Sequence, residues 1–359
     1  MNPAARTSVA IGPTALAGFD AVIDTRSPAE FAEDHVPGSI NCPVLDDEER
    51  ARVGTIYKQV SPFEARKLGA ALVARNIAFH LENSLKKKSK TWRPLVYCWR
   101  GGKRSGAMAH VLREVGWDAK TLAGGYKAYR RHVVESLSAM PRRVAFKVVH
   151  GVTGSGKSRL LGALRAAGAQ VLDLEDLAAH RGSVLGNLPE RPQPSQKMFE
   201  SRLLEALAAF DGSRVIYVEG ESRKIGQLQV PEALIERMRA SECLLLQAGV
   251  GTRVALLLDE YRHFFADPAA LGAQLDCLAG LHGSEKVGEW KSLAAAGEWR
   301  RLVTRLLEEH YDPAYRRSTA HNFPRLAKAR SFALDSPEQA AFDRLAREIV
   351  GSAAEAVAA

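Results

Sequence analysis

Val144-Ala145-Phe146-Lys147-Val148-Val149-His150 runs without a break into Gly151-Val152-Thr153-Gly154-Ser155-Gly156-Lys157-Ser158. The first seven residues are mostly apolar and β-branched, which predicts a buried strand. The next eight fit G-x4-G-K-[ST] in full, and a helical pattern over residues 159–167, closed by Gly168, follows. That context gives the motif its physical meaning. The loop N–H groups and the helix N-terminus can cradle a diphosphate, Lys157 adds a point charge, and Ser158 can bind Mg2+. Gly151, Thr153, Gly154, Ser155, Gly156, Lys157 and Ser158 are therefore the candidate diphosphate-binding residues.

Downstream, an apolar run at 169–172 ends at Asp173, and another at 214–218 ends at Glu219, with Arg223 just beyond. Carboxylates at sheet ends can hold Mg2+ directly or through water, so Asp173, Glu219 and Arg223 are candidates for a supporting role. No apolar run ends in an Asp of the usual NTPase kind, and Glu219 would have to serve. Diphosphate binding is thus better specified than ATP hydrolysis. The segment Gln193-Pro194-Ser195-Gln196-Lys197-Met198-Phe199-Glu200 enters a helix and either lines a ligand or packs, and Asp259-Glu260-Tyr261-Arg262-His263-Phe264 offers the same two readings.

Upstream, Leu95-Val96-Tyr97 predicts a short strand and residues 106–115 a helix. Between them lies Cys98-Trp99-Arg100-Gly101-Gly102-Lys103-Arg104-Ser105. Glycines in a strand–loop–helix turn let successive N–H groups face one hollow. A cysteine there has its thiolate stabilised, and only the thiolate is a strong nucleophile. Arg104 completes Cys-x5-Arg and can hold two oxygens of an anion. Cys98 is the candidate catalytic residue. Trp99, Arg100, Gly101, Gly102, Lys103, Arg104 and Ser105 form its anion loop, with Trp99 free to stack on a base or an apolar tail, or simply to pack.

The chain has 359 residues, 46% hydrophobic and 25% charged, with a formal net charge of +9. That length predicts two domains, at 12–138 and 144–350, meeting near Met140-Pro141-Arg142-Arg143. The positive charge favours a polyanionic partner or phosphorylated ligands. The four cysteines form no C-x-x-C pair, so neither a disulfide framework nor a zinc site is expected. With no leader-like segment and no apolar run near the length needed to span a bilayer, a cytoplasmic protein is expected. Residues 83–93, rich in lysine, read as a solvated linker, residues 182–196 as a long functional loop, and residues 351–359 as a frayed tail.

Residues 12–136 resemble the rhodanese domain. Asp24-Thr25-Arg26-Ser27-Pro28-Ala29-Glu30-Phe31 and His35-Val36-Pro37-Gly38-Ser39-Ile40-Asn41 match its opening signature. The Cys98 loop stands at its catalytic loop, and Leu122-Ala123-Gly124-Gly125-Tyr126-Lys127-Ala128-Tyr129 matches its closing signature. Asp24 with Arg26, Glu30 and His35 read as structural, and Cys42 as packing. The chain as a whole resembles the bacterial tRNA 2-selenouridine synthase family, through both loops, Ser61-Pro62-Phe63-Glu64-Ala65-Arg66-Lys67-Leu68-Gly69 and Val218-Glu219-Gly220-Glu221-Ser222-Arg223-Lys224-Ile225-Gly226.

The resemblance implies an α/β protein, a rhodanese-like domain followed by a P-loop NTPase-like parallel-sheet domain. It implies a transferase that takes 2-thiouridine in the anticodon arm of tRNA as substrate. Geranyl diphosphate and selenophosphate would be co-substrates, with no tightly bound cofactor and Mg2+ as an option. Cys98 would carry selenium as a selenopersulfide, Arg100, Lys103 and Arg104 would hold selenophosphate, and the P-loop the geranyl diphosphate. Two alternatives stay open: an ATP-dependent tRNA sulfurtransferase, and a Cys-x5-Arg phosphatase joined to a kinase-like domain.

Overall fold

The computed structural model describes residues 10–188 and 190–358. The chain forms two compact units. One holds the described residues up to Ser136 together with Pro194–Glu205; the other holds Leu137–Gln193 and the chain from Ala206 on.

The first unit is built on five parallel strands, β1 (Ala10–Ile11), β2 (Ala21–Asp24), β3 (Ile40–Asn41), β4 (Pro94–Tyr97) and β5 (Lys120–Leu122), in the order β1-β5-β4-β2-β3. Every residue of β4 is buried, as expected of a parallel strand covered on both faces. The connecting helices are α1 (Pro28–Glu33), α2 (Asp47–Gln59), α3 (Pro62–Glu82), α4 (Lys103–Val115) and α5 (Gly125–Ala139). Ser61 starts α3 by accepting from the Phe63 and Glu64 amides, with Pro62 as the first helical residue, a pairing that satisfies otherwise orphaned donors. Ile23, Val96, Met108 and Leu112 meet in the core. The lysine-rich run lies inside this unit, between α3 and β4, anchored by buried Leu85 and Trp92. It is a connection within a domain rather than a linker between two. Helix α4 begins at Lys103, three residues before its apolar pattern, so its N-terminus reaches the Cys98 loop.

The second unit has a sheet of the same kind. The elements in chain order are β6 (Phe146–His150), α6 (Lys157–Ala166), β7 (Gln170–Leu172), α7 (Leu174–Ala178), α8 (Gln196–Ala208), of which the residues up to Glu205 belong to the first unit, and β8 (Ile216–Glu219). A two-stranded ribbon, β9 (Lys224–Ile225) with β10 (Leu228–Gln229), precedes α9 (Glu232–Arg239), β11 (Glu242–Ala248) and α10 (Val250–Glu260). A helical layer follows: α11 (His263–Ala266), α12 (Pro268–Asp276), α13 (Ala279–His282), α14 (Ser284–Ala295), α15 (Trp299–Leu306), a π-helical turn (Leu307–Tyr311) and α16 (Asp312–Asn322). β12 (Arg330–Leu334) and α17 (Gln339–Ala358) end the fold. The parallel order is β12-β11-β6-β8-β7, which puts β6 at the centre and the P-loop at its carboxyl end, where open α/β sheets bind ligands. The backbone stays helical through Ala358, so the alanine-rich tail continues α17 where a frayed end was expected. No helix among the described residues is long and apolar enough to cross a membrane.

The helical layer has its own core around Trp290, with Leu275, Leu278, Val287 and Leu302. The sheet core joins α6 and α17 through Leu160, Leu161, Phe342 and Ile349. Phe342 is fully buried, and a Cβ placed on Gly156 would lie 2.7 Å from its ring. Gly156 also has φ +86°, so glycine is required there twice over. Phe342→Ala should destabilise the protein by about 3–5 kcal/mol. Urea unfolding checks this, and a loss below about 1 kcal/mol would show that Phe342 does not support the loop.

Candidate active site

Cys98 sits directly after β4 and is 4% exposed. Its Sγ accepts the Gly102 amide at 3.3 Å and the Ser105 hydroxyl at 3.2 Å. Burial opposes ionisation, but the Ser105 hydroxyl and the amides of Ser105, Gly102 and Arg100 outweigh it, so the Cys98 pKa falls below the ordinary thiol value. The other thiols differ. Burial pushes Cys42 up to about 11 and Cys243 upward, and Cys277 is exposed. Ser105→Ala should raise the Cys98 pKa by about one unit, the worth of one charge-assisted hydrogen bond. The pH profile of iodoacetamide alkylation reads this directly, and an unmoved midpoint would remove Ser105 from the thiolate's support.

The loop rests on the chain at Gly124-Gly125. Tyr126 N donates to Cys98 O at 2.8 Å and Lys127 N to Trp99 O at 3.0 Å. A Cβ on Gly125, where φ is +58°, would fall 2.2 Å from Cys98 O. Gly125→Ala should therefore displace the catalytic loop and cost at least the 1–2 kcal/mol of the left-handed backbone; a lowered melting temperature together with slower Cys98 alkylation is the expected pair of results. Trp99 stacks on Tyr126 with centroids 5.3 Å apart. Tyr126 donates to Asp34 Oδ2 at 2.7 Å, and the Arg26 guanidinium lies 3.9 Å over its ring. Arg26 grips Asp24 through Nε and Nη2 and donates to Asp34 O at 2.6 Å. Ser201 Oγ donates to the second Asp34 oxygen at 2.8 Å, and Lys197 pairs with Glu33. Lys197 and Ser201 thus pack against the end of α1, whereas Gln193 donates to Ala178 O and Ile225 O.

Among the loop cations, Arg100 and Lys103 are exposed at the rim. Arg104 Nη1 lies 2.9 Å from Glu30 Oε2, which Arg50 also approaches at 3.0 Å. Burial opposes ionisation of Glu30, yet Arg104 and Arg50 hold its carboxyl below the usual range. Glu30 therefore positions the loop arginine, a role that the capping pattern at Ser27 conceals in the sequence.

In the second unit, Lys157 Nζ donates to Gly151 O at 3.0 Å and Ser158 Oγ to Glu175 Oε2 at 2.8 Å. Glu175 N donates to Glu219 Oε1 at 2.7 Å. Burial raises the carboxyl pKa values of Glu175, Glu219 and Asp173, and pushes Glu221 up to about 8. Asp173 caps α7 by accepting Asp176 N at 2.9 Å. Arg223 does not join this group: it is exposed and paired with Glu232. Among the described residues no cluster of three or more His, Cys, Asp or Glu is arranged to hold a metal ion. Sequence reasoning missed Arg253, buried at 3% exposure inside an apolar helical run. It donates to Thr153 O at 2.9 Å and clasps Asp312 with both terminal nitrogens, tying the P-loop to the start of α16.

The P-loop opens on a cleft of about 370 Å³, whose lining includes Tyr261, His310, Tyr311, Tyr315 and Phe323. An apolar pocket adjoins it, walled by Leu258, Phe264, Leu271, Leu302 and Leu306. Thr153, Ser183, Leu257, Tyr261 and Tyr311 line both. The chain therefore has a buried thiol of lowered pKa in a loop with exposed Arg100 and Lys103 in one unit, and a P-loop cleft adjoined by a small apolar pocket in the other.

Residues 14–132 match the rhodanese-like domain family, and residues 123–274 match the family described as tRNA 2-selenouridine synthase AAA domain. A protein from Nitrosomonas europaea named tRNA 2-selenouridine synthase is 37% identical over 244 residues, covering 67% of this chain and 63% of that protein. The protein of that name from Shewanella halifaxensis is 39% identical over 245 residues, covering 67% and 66%. That from Shewanella sediminis is 33% identical over 291 residues, covering 80% and 76%. The chain matches just under two thirds of the length of the first two.

Proposed function

Because the chain belongs to the tRNA 2-selenouridine synthase family, we propose that it converts wobble 2-thiouridine of tRNA to 2-selenouridine in two steps. In the first, the P-loop cleft transfers a geranyl group from geranyl diphosphate to the sulfur. In the second, selenium from selenophosphate replaces the geranylthio group, with Cys98 as the group that handles selenium. The observation that carries this reading is the part-apolar wall of the P-loop cleft, where Leu257, Tyr261 and Tyr311 also line a small apolar pocket of about 50 Å³ beside it. A nucleotide would bring a polar ribose and base against that wall. A prenyl diphosphate would bring methylenes worth about 0.8 kcal/mol each when buried.

Lys157 and the loop amides would hold the diphosphate and stabilise departing pyrophosphate. Ser158 and Glu175 are the oxygen donors that would hold a Mg2+, which would offset the charge of the diphosphate. Arg100, Lys103 and Arg104 would hold the phosphate of selenophosphate beside Cys98, and the excess of positive charge suits tRNA.

Thermal unfolding tests the cleft's ligand. A ligand at about 100 times its Kd adds about 2.7 kcal/mol to stability. Geranyl diphosphate should raise the melting temperature well above the shift given by equal pyrophosphate. An equal or larger shift from ATP, together with ATP turnover, would favour the nucleotide-driven sulfurtransferase instead.

A further inference from the structure

Alkylation of a thiouracil sulfur leaves a proton to be removed. As the sulfur lone pair attacks C1 of the allylic chain, the S–C bond forms. The C–O bond to the diphosphate breaks, and its electron pair leaves on pyrophosphate. The ring nitrogen N3 must then lose its hydrogen, or the product stays a cation. Proton transfer to a positioned side chain contributes about 10²–10⁴-fold to such steps.

We propose that His310 is the catalytic residue that accepts this N3 proton in the P-loop cleft. The assignment rests on the reading of the cleft given under Proposed function. His310 lines the same cleft as Lys157 and Ser158. It lies in the π-helical turn between α15 and α16, a local widening frequent at functional sites. Its Nδ1 is 2.9 Å from His282 Nε2, which leaves Nε2 as the nitrogen for a bound base. The ring is fixed on both sides. It meets His282 edge-on with centroids 5.1 Å apart and Tyr311 with centroids 4.7 Å apart, and His282 is braced edge-on against Trp290. Tyr311 and Tyr315 line the cleft with His310, and aromatic side chains are the groups on which an extruded base stacks.

The protonation state suits the task. His310 is 8% exposed. Burial, followed by His282 and Arg317, lowers its pKa below the ordinary histidine value, so the ring is neutral and able to accept. The carboxyls that line the cleft suit it less. Glu221, raised to about 8, and Glu175, which accepts from Ser158, lie among the P-loop residues where the diphosphate would bind, and Glu260 is held by Arg159 and Arg181. After transfer, the imidazolium returns its proton to solvent or to the departing pyrophosphate.

The test is single-turnover geranylation of 2-thiouridine tRNA by the full chain, comparing wild type, His310→Ala and His310→Asn, with and without added imidazole. His310→Asn keeps a polar group toward His282 and removes Nε2, so it reports if the alanine variant fails to fold. The expected result is a rate at least 100-fold lower in a folded variant, an unchanged melting shift with geranyl diphosphate, and partial recovery by imidazole in His310→Ala. A variant within threefold of wild type overturns the assignment alone. So does a slow variant that has lost the geranyl diphosphate shift and gains nothing from imidazole. A wild type that forms no geranylated nucleoside overturns the reading of the cleft, and this assignment with it.

Discussion

Cys98→Ala should abolish formation of 2-selenouridine while S-geranyl-2-thiouridine accumulates in the tRNA. The loop amides and the Ser105 hydroxyl are arranged around a sulfur, and they lower its pKa against the burial that would raise it. The hydroxyl of the loop, Ser105, is buried and bonded to Cys98 and to Gly102 O. Removing the activated group from such a site costs at least about 10³-fold, because its supporting groups have nothing left to act on. The P-loop cleft, built wholly from the second unit, should go on alkylating sulfur. Normal 2-selenouridine formation by a folded Cys98→Ala protein would remove the thiolate from the chemistry.

Lys157→Ala should have the complementary effect. Lys157 stands at the first turn of α6, with its ammonium on Gly151 O, inside the cleft. Charge grows on the diphosphate as the C–O bond breaks, and a preorganised donor aimed at such charge is worth about 10²–10³-fold in kcat. Geranylation should fall by that much, whereas tRNA supplied already S-geranylated should be selenated at the wild-type rate. Undiminished geranylation would mean that the P-loop serves another ligand. Loss of both steps in a folded variant would mean that the two sites are not separate.

The strand–loop–helix setting of both loops was legible in the sequence because their patterns are written in short stretches. A glycine pattern, a lysine and a serine at set spacing leave few other uses for a strand–loop–helix turn, and two glycines with three cations around one cysteine are nearly as specific. The ion pair of Arg26 with Asp24 and the packing of Cys42 followed from the same local logic. What the sequence hid is held together by distant partners. Arg253 looks like one charge on an apolar helix until Asp312 and Thr153 close around it. Glu30 reads only as structural until Arg104 arrives from 74 residues away. The contact of His282 with His310 spans 28 residues, and neither histidine breaks the helical pattern around it. Arg223 shows the opposite error: a cation close in sequence to a sheet-end carboxylate that the chain turns outward onto Glu232.

The most direct measurement is nucleoside mass spectrometry of 2-thiouridine tRNA after incubation with the purified protein and each co-substrate singly and together. Geranyl diphosphate alone should yield S-geranyl-2-thiouridine, selenophosphate alone should leave 2-thiouridine unchanged, and the two together should yield 2-selenouridine. Formation of 2-selenouridine from selenophosphate alone, or only when ATP is added, would contradict the division of labour between the Cys98 loop and the P-loop.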